Sequence, residues 1–527
     1  MTSREDKLAA LRDQRPWDIL IIGGGASGLG AAVDAAARGY RTLLVEARDF
    51  ASGTSMCSTK LIHGGVRYLR QGDIGMVRNA LRERSFLLRN APHLVHPLAF
   101  IIPAWNQIDR LMFAAGLKLY DLLSGWHNLA ASQSLSRQDV ITALPGLKSA
   151  GLCGGIRYWD GQFDDARLAI TLMCTATELG ATCLNYLPAI RLLKTNDRVT
   201  GAMLCDAETG EEFEVTARAI INASGVHADS VRQLDDAKAP PLLTPSQGIH
   251  LVFDADFLPG QQALMIPKTE DGRVMFAIPW QGKVLLGTTD TPRPELQQFN
   301  DPQPLEEEIN FLLRTAAGVL TRPPTRADIR SAFAGLRPLI HPDNTDEKNT
   351  AALSREHAVL VSPSGLITLT GGKWTTYRLM AEQVIDRAIE VAGLPEVPCP
   401  TETLQLHGYT TAPASIGYGT DALQLATLPG HDALLHPNLP YTEAMIRFAI
   451  RHEAARTIED ILARRTRALF HDATAAEATI ERIAGIVVEE LLLSPEQLTA
   501  MINAARSYSR RFRLSARCGQ VGSRSGY

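Results

Sequence analysis

The sequence predicts an α/β protein of more than one domain, organised around a strand–turn–helix unit near its N-terminus. In residues 18–46, DILIIGGGASGLGAAVDAAARGYRTLLVE, an apolar run precedes glycines spaced as G-x-G-x-x-G, and small residues and a second apolar run follow. This order is typical of a strand, a tight turn, a helix and a second parallel strand. The chain has 527 residues, more than one hydrophobic core normally holds, so we expect two or three domains.

Local sequence accounts for each element of this first unit. Apolar residues predict buried parallel strands at Ile19–Ile22 and Thr42–Val45, and small residues between them predict a helix at Ala31–Ala37. The N-terminus of such a helix presents free N–H groups and the positive end of its dipole to the preceding turn. We therefore expect the turn to hold the pyrophosphate of a dinucleotide.

The glycines and one carboxylate indicate which dinucleotide this is. Gly23 permits the tight turn, Gly25 lets the backbone approach the pyrophosphate, and Gly28 lets the helix pack closely on the strand. Glu46 ends the second strand, where a carboxylate is expected to hold ribose hydroxyls and to disfavour a 2′-phosphate. The prediction is FAD or NAD rather than NADP, and the position of the motif close to the N-terminus favours FAD.

Three later segments are predicted to approach the same cofactor. The Gly-, Ser- and Thr-rich stretch Asp49–Leu69 suits a loop wrapped over a ligand, with Lys60 and His63 as longer polar side chains. A buried strand at Arg218–Asn222 runs into Ala-Ser-Gly225, where the backbone can approach a dinucleotide closely. A glycine pair ending at Gly372, followed by Lys373, opens a helix and predicts a second anion or ring-edge site.

The remaining chain is predicted to add a strand-rich region and a helical C-terminal part. Residues 242–286 are strand-rich, with hairpin turns at Asp271-Gly272 and Gln281-Gly282. A Pro-rich linker is expected at 394–415, before a helical stretch at Tyr441–Arg506. The apolar helix Ile108–Trp126 is ordinarily interpreted as a core helix; the alternative is a partly exposed face that lies on a membrane.

Composition narrows the class of protein. The net charge is −4, which argues against nucleic acid as the main partner. The 7 cysteines show no C-x-x-C pair and no metal-ligand spacing, so we expect reduced thiols in a cytosolic protein without a metal. The first 16 residues are polar and no long apolar run occurs, so we expect neither a secretory signal nor a membrane-spanning helix.

Several long motifs, in order, resemble one family. They are STKLIHGGVRYL (Ser58–Leu69), DDARL (Asp164–Leu168), GTTDT (Gly287–Thr291), GLRPL (Gly335–Leu339) and GGKWTTYR (Gly371–Arg378). These motifs resemble FAD-dependent glycerol-3-phosphate dehydrogenase, and the resemblance covers essentially the whole chain.

The resemblance implies a glycine-oxidase-like FAD-binding Rossmann domain, a mixed β-sheet substrate domain and a C-terminal helical domain. It also implies oxidation of sn-glycerol 3-phosphate to dihydroxyacetone phosphate, with electrons passed to a quinone by a cytoplasmic protein resting on the inner face of the cell membrane. A homodimer is compatible with the sequence.

The resemblance also implies a set of site residues. His250, Lys373 and Arg337 match the catalytic positions, with His250 as proton acceptor. The substrate-anchoring set is Arg67, Tyr68, Arg337, Arg355 and Thr289. Cofactor contacts are expected from Gly23, Gly25, Gly28, Glu46, Thr54, Ser58, Thr59, Lys60, His63, Gly64, Gly225, Gly372, Lys373 and Thr375. Arginine forks suit a phosphate dianion, and Arg337, flanked by apolar residues, is expected to have a buried partner.

Two alternatives and a division into domains complete the prediction. The same fold could oxidise another small acid, such as a 2-hydroxy acid or an amino acid, or could bind FAD as a redox sensor without turnover; oxygen rather than quinone could accept the electrons.

The predicted divisions are a FAD-binding domain (17–90, 160–240 and 335–393), a substrate domain (91–159 and 241–334), a helical domain (416–510) and a basic tail (511–527). The tail is expected to be disordered or to contact anionic lipid.

Overall fold

The structure is a computed structural model that describes residues 3–13, 15–66, 73–270, 272–296, 302–340, 357–412 and 417–514. In chain order the described strands are β1 (Trp17–Ile22), β2 (Thr42–Val45), β3 (Leu61–Ile62), β4 (Val95–Ala104), β5 (Gln133–Leu135), β6 (Gly154–Phe163), β7 (Thr182–Leu184), β8 (Ala189–Thr195), β9 (Arg198–Cys205), β10 (Glu212–Asn222), β11 (Leu243–Asp254), β12 (Ala263–Ile266), β13 (Met275–Trp280), β14 (Lys283–Gly287), β15 (Thr291–Pro292), β16 (Ser331–Ile340), β17 (His357–Val361) and β18 (Ile367–Gly371).

The described α-helices are α1 (Arg4–Ala9), α2 (Ala26–Ala37), α3 (Ile74–Asn90), α4 (Gln107–Ser124), α5 (Arg137–Ala143), α6 (Asp165–Glu178), α7 (Ala228–Asp235), α8 (Glu306–Val319), α9 (Tyr377–Ala392), α10 (Ala422–Leu425), α11 (Glu443–His452), α12 (Ile458–Asp460), α13 (Ala468–His471), α14 (Ala473–Ala478), α15 (Ile480–Leu491) and α16 (Pro495–Ser509). A π-helical turn, Ile461–Arg465, follows α12 directly.

The first sheet is a Rossmann-type sheet in the order β17-β18-β10-β1-β2-β7, and the hairpin β8–β9 extends β10. Strands β18, β10, β1, β2 and β7 are parallel, with Ile19 of β1 opposite Ala219 of β10 and Thr42 of β2. Helix α2 packs against both α6 and α9 beside this sheet. The predicted strand–turn–helix–strand unit is confirmed, and the parallel strands bring their carboxyl ends to one edge, where ligands bind in such sheets.

The second sheet is mixed, in the order β15-β11-β14-β13-β12-β4-β6-β3, with β16 paired to β11 and β5 to β6. The predicted hairpin turn between β13 and β14 is present, since Gln281 has φ 47° and Gly282 has φ 76°. Asp271 of the other predicted turn lies outside the described residues. Strands β6 and β16 lie wholly in this sheet, so the predicted domain limits at 160 and 335 each fall inside a strand.

The C-terminal helices pack on the second sheet rather than standing apart from it. Phe448 and Phe470 of these helices share one buried cluster with Phe100, Trp280 and Phe333 of the sheet. The segment predicted as a linker also packs, because its Leu394 and Leu406 are buried against the core of the first sheet. The α/β fold with a mixed second sheet and a C-terminal helical domain is therefore confirmed.

Candidate functional site

A cavity of about 410 Å³ runs between the two sheets, from the glycine turn after β1 to the strands β11 and β16 of the second sheet. Many of the predicted site residues line it. They are Gly23, Gly25, Glu46, Thr54, Ser58, Thr59, His63, Gly225, His250, Arg337, Gly372, Lys373 and Thr375. Residues more than 300 positions apart in the chain thus meet at one site.

The glycine turn forms one end of the cavity and leaves no room for side chains. Gly23 has φ +119°, and a Cβ atom there would lie 2.5 Å from the Ala223 carbonyl oxygen. Gly25 is the N-cap of α2, and a Cβ atom on it would lie 3.1 Å from the Ser55 hydroxyl. Ser55 accepts a hydrogen bond from the Ala26 amide at 2.9 Å and so shapes the start of the helix. Backbone N–H groups at a helix N-terminus are donors suited to a pyrophosphate.

Glu46 lies beside this turn as predicted. Its carboxylate accepts hydrogen bonds from the Gly24 amide at 2.6 Å and from the Arg48 amide at 2.9 Å. Burial raises the pKa of Glu46, while these two backbone donors favour its charged form. Glu46 thus fixes the turn against the end of β2, and it lines the cavity where a ribose would follow the pyrophosphate.

Two predicted cofactor glycines do not line the cavity. A Cβ atom on Gly28 would collide with the Gly23 carbonyl oxygen, so Gly28 allows α2 to pack on the turn, which is the role the sequence predicted for it. Gly64 donates its backbone N–H to the Tyr120 hydroxyl at 3.0 Å and to Asp160 at 3.3 Å. The Gly64 amide is therefore used inside the protein, while its neighbours His63 and Gly65 line the cavity.

Lys60, predicted to contact the cofactor, makes its contacts inside the protein. Its side chain is fully buried, and its Nζ atom bonds Asp165 at 2.6 Å and the Met56 carbonyl at 2.8 Å. Burial lowers the pKa of Lys60 to about 8, against the opposing effect of Asp165. Lys60 therefore supports the loop from behind the cavity wall and does not line the cavity.

Thr289, predicted to bind substrate, is a buried structural residue. Its hydroxyl donates to Glu308 at 2.7 Å and accepts the Ile249 amide at 3.0 Å. Its neighbour Thr288 lines the cavity instead. Consecutive residues of the GTTDT motif point in different directions, so the hydroxyl on the cavity wall belongs to Thr288.

Arg337 projects from β16 to the cavity wall with a defined orientation. Its Nη2 atom donates to Thr288 Oγ1 at 3.2 Å and to the Thr289 carbonyl at 3.0 Å, and Nη1 lies 3.5 Å from Asp290. Asp290, whose side chain is 8% exposed, is the buried partner expected from the apolar flanks of Arg337. The Arg337 side chain remains 26% exposed, so this guanidinium is positioned and still accessible to an anion.

Lys373 follows the glycine pair that ends β18, and its Nζ atom lies 3.1 Å from the Met76 sulfur. Gly371 and Gly372 both have φ 77°, a left-handed conformation that glycine adopts without strain. The turn brings Lys373 to the same cavity as Arg337 and His250. Lys373, Arg337 and His250 therefore line one cavity.

His250 lies in β11 and is 2% exposed. Its ring stacks on Phe333 with centroids 5.0 Å apart, and its Nε2 atom lies 3.0 Å from Thr59 Oγ1. Burial, and then the positive charges of Lys60 and Arg337, hold the pKa of His250 well below its usual value. The imidazole is therefore neutral at physiological pH, which is the form that accepts a proton.

The predicted substrate residues Arg67, Tyr68 and Arg355 lie outside the described residues. Other cavity residues were not predicted from the sequence. Asp160 lines the cavity and holds Arg84 at 2.6 Å and Tyr120 at 3.0 Å, while the Trp374 indole donates to the Ser55 carbonyl at 2.9 Å. No local motif surrounds Asp160, and its position depends on how β6 pairs in the second sheet.

The residues of the cavity fit FAD. The glycine turn, the helix N-terminus of α2 and Glu46 suit its adenosine diphosphate half. Gly225 and Gly372 line the same cavity and add no side chain to it. A neutral histidine and two cationic side chains lie at the other end. This fold and site define the class of flavin-dependent oxidoreductases.

Comparisons with known proteins agree with this class and make it more specific. Residues 18–381 match the family model described as FAD dependent oxidoreductase, and residues 366–498 match the C-terminal domain of alpha-glycerophosphate oxidase. The chain is 40% identical to the mitochondrial glycerol-3-phosphate dehydrogenase of Mesocricetus auratus and 39% identical to that of Homo sapiens. Each alignment covers 96% of this chain and 75% of the relative.

Solved structures give the same result. The glycerol-3-phosphate dehydrogenase from Bacillus halodurans, complexed with FAD, superposes with a TM-score of 0.77 at 29% identity, covering 98% of this chain and 99% of that chain. The L-alpha-glycerophosphate oxidase from Mycoplasma pneumoniae, at 18% identity and a TM-score of 0.56, shares the fold over 71% of this chain and 95% of its own. The chain belongs to the FAD-dependent glycerol-3-phosphate dehydrogenase family.

Proposed function

We propose that this protein oxidises sn-glycerol 3-phosphate to dihydroxyacetone phosphate, with FAD as hydride acceptor and a membrane quinone as the final electron acceptor. The observation that carries the proposal is the buried His250 in one cavity with Arg337 and Lys373, in a chain 40% identical to glycerol-3-phosphate dehydrogenases. Oxidation of a secondary alcohol requires a proton acceptor, and recognition of a phosphate requires fixed cations.

Arg337 binds and orients the substrate in this proposal. Its guanidinium is held by Thr288, the Thr289 carbonyl and Asp290, so it meets a phosphate without losing much side-chain freedom. An anchored phosphate fixes the secondary alcohol at a constant position relative to His250. The Lys373 ammonium adds positive charge where the oxygen becomes negative as its proton leaves.

His250 receives the hydroxyl proton of the substrate. The surrounding burial and positive charge keep its ring neutral before the reaction, so the lone pair is available at physiological pH. FAD bound along the cavity would accept the hydride from the carbon that carries this hydroxyl.

A membrane acceptor is supported by the surface of α4. This helix turns Ile108, Leu111, Met112, Leu119 and Leu122 to solvent, with exposures between 43% and 79%, and the neighbouring Trp126 is fully exposed. Their spacing places them on one face, as in helices that lie in the membrane interface. Within the described ranges, no helix is long and apolar enough to cross a bilayer. We propose peripheral contact, at the inner face of the cell membrane, through this helix.

The test is the anaerobic absorption spectrum of the FAD-loaded protein before and after addition of sn-glycerol 3-phosphate. Prompt bleaching of the flavin bands is expected, with reoxidation by a water-soluble quinone. Bleaching by a 2-hydroxy acid or an amino acid, but not by sn-glycerol 3-phosphate, would contradict the proposed substrate. Flavin bands that persist with all of these compounds would favour a non-catalytic role.

A further inference from the structure

His250 and Thr59 lie side by side on the wall of the cavity. Its Nδ1 atom is buried and has no hydrogen-bond partner among the described residues, so a substrate cannot reach that nitrogen. Its Nε2 atom lies 3.0 Å from Thr59 Oγ1. Thr59 is only half-buried and lines the cavity, whereas His250 is 2% exposed. The more accessible Thr59 hydroxyl therefore lies on the cavity wall in contact with the imidazole nitrogen Nε2.

The imidazole cannot rotate to avoid this contact. Phe333 stacks on one face of the ring with an angle of 20° between the planes. Gly287 on the adjacent strand approaches its edge so closely that a Cβ atom there would lie 2.8 Å from Nε2. The ring is thus held on two sides with Nε2 toward Thr59.

Thr59 is held as firmly, because both of its neighbours are bound to one carboxylate. Asp165 accepts hydrogen bonds from the Ser58 amide at 2.9 Å and the Ser58 hydroxyl at 2.7 Å, and it pairs with Lys60 at 2.6 Å. Arg467 pairs with the other oxygen of Asp165 at 3.0 Å. Lys60 has φ 61°, a conformation that is unfavourable for a residue with a side chain and that these bonds maintain.

We propose that Thr59 relays the substrate proton to His250, an inference that rests on the proposed oxidation of sn-glycerol 3-phosphate. The substrate O–H bond breaks and its proton passes to Thr59 Oγ, while the proton of the Thr59 hydroxyl passes to His250 Nε2. Thr59 ends as a hydroxyl again, His250 becomes an imidazolium, and the hydride of the same carbon passes to the bound FAD. Lys60 behind the loop and Arg337 on β16 are the charges that act on His250, and both favour return of this proton to solvent.

The experiment compares Thr59→Val with Thr59→Ser in the FAD-loaded protein. Valine keeps the shape of threonine and removes the hydroxyl, so the rate of anaerobic flavin reduction is expected to fall by roughly 100-fold or more, the usual effect of losing acid–base assistance. Serine keeps the hydroxyl and is expected to retain a rate within about threefold of the wild type. The flavin content, and the affinity for dihydroxyacetone phosphate measured from the flavin spectrum, should be unchanged in both variants.

A solvent-isotope measurement distinguishes a relay from a purely structural role. In mixtures of H₂O and D₂O the wild-type reduction rate should curve with deuterium content, since both protons move in one step, and the residual rate of Thr59→Val should vary linearly. Thr442→Val, which removes a buried hydroxyl that has no hydrogen-bond partner among the described residues, is the control and should behave as the wild type.

The possible failures are separable. If sn-glycerol 3-phosphate does not reduce the wild-type flavin, the proposed function fails. If the wild type is reduced and Thr59→Val is reduced equally fast, the relay alone is overturned. A slow Thr59→Val with a curved isotope dependence would also overturn it, because both protons would then move without the Thr59 hydroxyl.

Discussion

Arg337 shows how a single charged residue can be both anchored and available. Its three protein contacts occupy part of the guanidinium, while about a quarter of the side chain stays open to the cavity. The planar fork of arginine makes paired hydrogen bonds to a phosphate, and lysine cannot reproduce them although it keeps the charge.

The first prediction therefore concerns Arg337→Lys. We expect kcat/KM for sn-glycerol 3-phosphate to fall by roughly 10- to 100-fold, mostly through a higher KM, because lysine loses the paired hydrogen bonds. Steady-state kinetics with a soluble dye as acceptor measures this, and FAD content should not change. Arg330→Lys is the matched control, since Arg330 pairs with Asp254 at the protein surface. An Arg337→Lys enzyme with wild-type KM would remove Arg337 from the substrate site.

Among single residues, the sequence indicated those whose position in the site depends only on the local backbone conformation. The glycine turn, Glu46 and the Gly-Gly-Lys373 turn follow from short-range geometry, and all of them line the cavity. The sequence did not indicate that Lys60 and Thr289 bond inside the protein, because the direction of a side chain depends on the exact backbone conformation of its loop. The contact between Thr59 and His250 joins residues 191 positions apart, so no local pattern could indicate it.

Among the elements, α4 carries the largest exposed apolar face described above. Leu111 and Leu122 on this face are 71% and 75% exposed, so the fold does not depend on them. The sequence left open whether this helix was a core helix or a membrane-lying one. The sequence could not distinguish these two possibilities, because an amphipathic pattern shows that a helix has an apolar face but not what covers that face.

The second prediction uses the double variant Leu111→Glu/Leu122→Glu. We expect it to lose co-sedimentation with vesicles that contain phosphatidylglycerol, since glutamates oppose both insertion and the anionic surface. Activity with a soluble dye should be retained, and activity with quinone embedded in vesicles should fall. Leu423→Glu, at a leucine 78% exposed on another helix, is the control. Co-sedimentation of the double variant at the wild-type level would exclude α4 as the contact.

A histidine joins α6 to the segment before the C-terminal helices. His407 lies 2.7 Å from Glu178 of α6 and 2.7 Å from Asp421. Burial opposes protonation, but Asp421 and Glu178 outweigh it and raise the pKa of His407 from 6.5 to about 8. Because the folded pKa is raised, this stabilisation is fully present below about pH 6.5 and is lost as the pH rises through about 8.

The third prediction is that His407→Gln flattens this part of the pH–stability curve. The wild type should lose up to about 2 kcal/mol more than the variant between pH 6 and pH 9, the value of a shift of this size. Thermal unfolding across that range measures the difference. His431→Gln, at an exposed histidine, should follow the wild type. Parallel curves for the wild type and His407→Gln would show that the ion pairs contribute nothing.

In the whole molecule, the helical domain and the FAD-binding sheet are joined by buried charges. Asp49, just after β2, pairs with Arg464 at 2.5 Å and Arg465 at 2.6 Å, and all three side chains are fully buried. The π-helical turn Ile461–Arg465 turns consecutive arginines toward the same carboxylate. The C-terminal domain thus fixes the start of the loop that lines the cavity.

The fourth prediction follows from that arrangement. Asp49→Asn should lower stability by roughly 3–5 kcal/mol, because two buried guanidiniums lose their counter-charge. The melting temperature and the FAD content of the purified protein should both fall. Glu211→Gln, which breaks the exposed pair with Arg12, should cost less than about 1 kcal/mol. A melting temperature of Asp49→Asn equal to the wild type would show that this contact does not support the fold.

The fold class was predictable because the hydrophobic periodicity and the glycine motif are short-range patterns that are typical of α/β proteins. The domain limits were not, since β6 and β16 each run across a predicted boundary in the second sheet. Nor did the sequence predict that the Pro-rich segment after α9 packs, through Leu394 and Leu406, against the core. Such packing depends on surfaces assembled from remote parts of the chain.

The distance along the chain between Asp49 and its arginines has a consequence for biosynthesis. Arg464 and Arg465 follow Asp49 by 415 and 416 residues. At roughly 5–20 residues per second, a ribosome needs on the order of 20–80 seconds to deliver them. During that interval the nascent chain carries a completed nucleotide-binding motif beside a carboxylate that still lacks its partners. Capture of the flavin in its final form must therefore wait until the helical domain has been synthesised, and chaperones have time to bind the nascent chain before then.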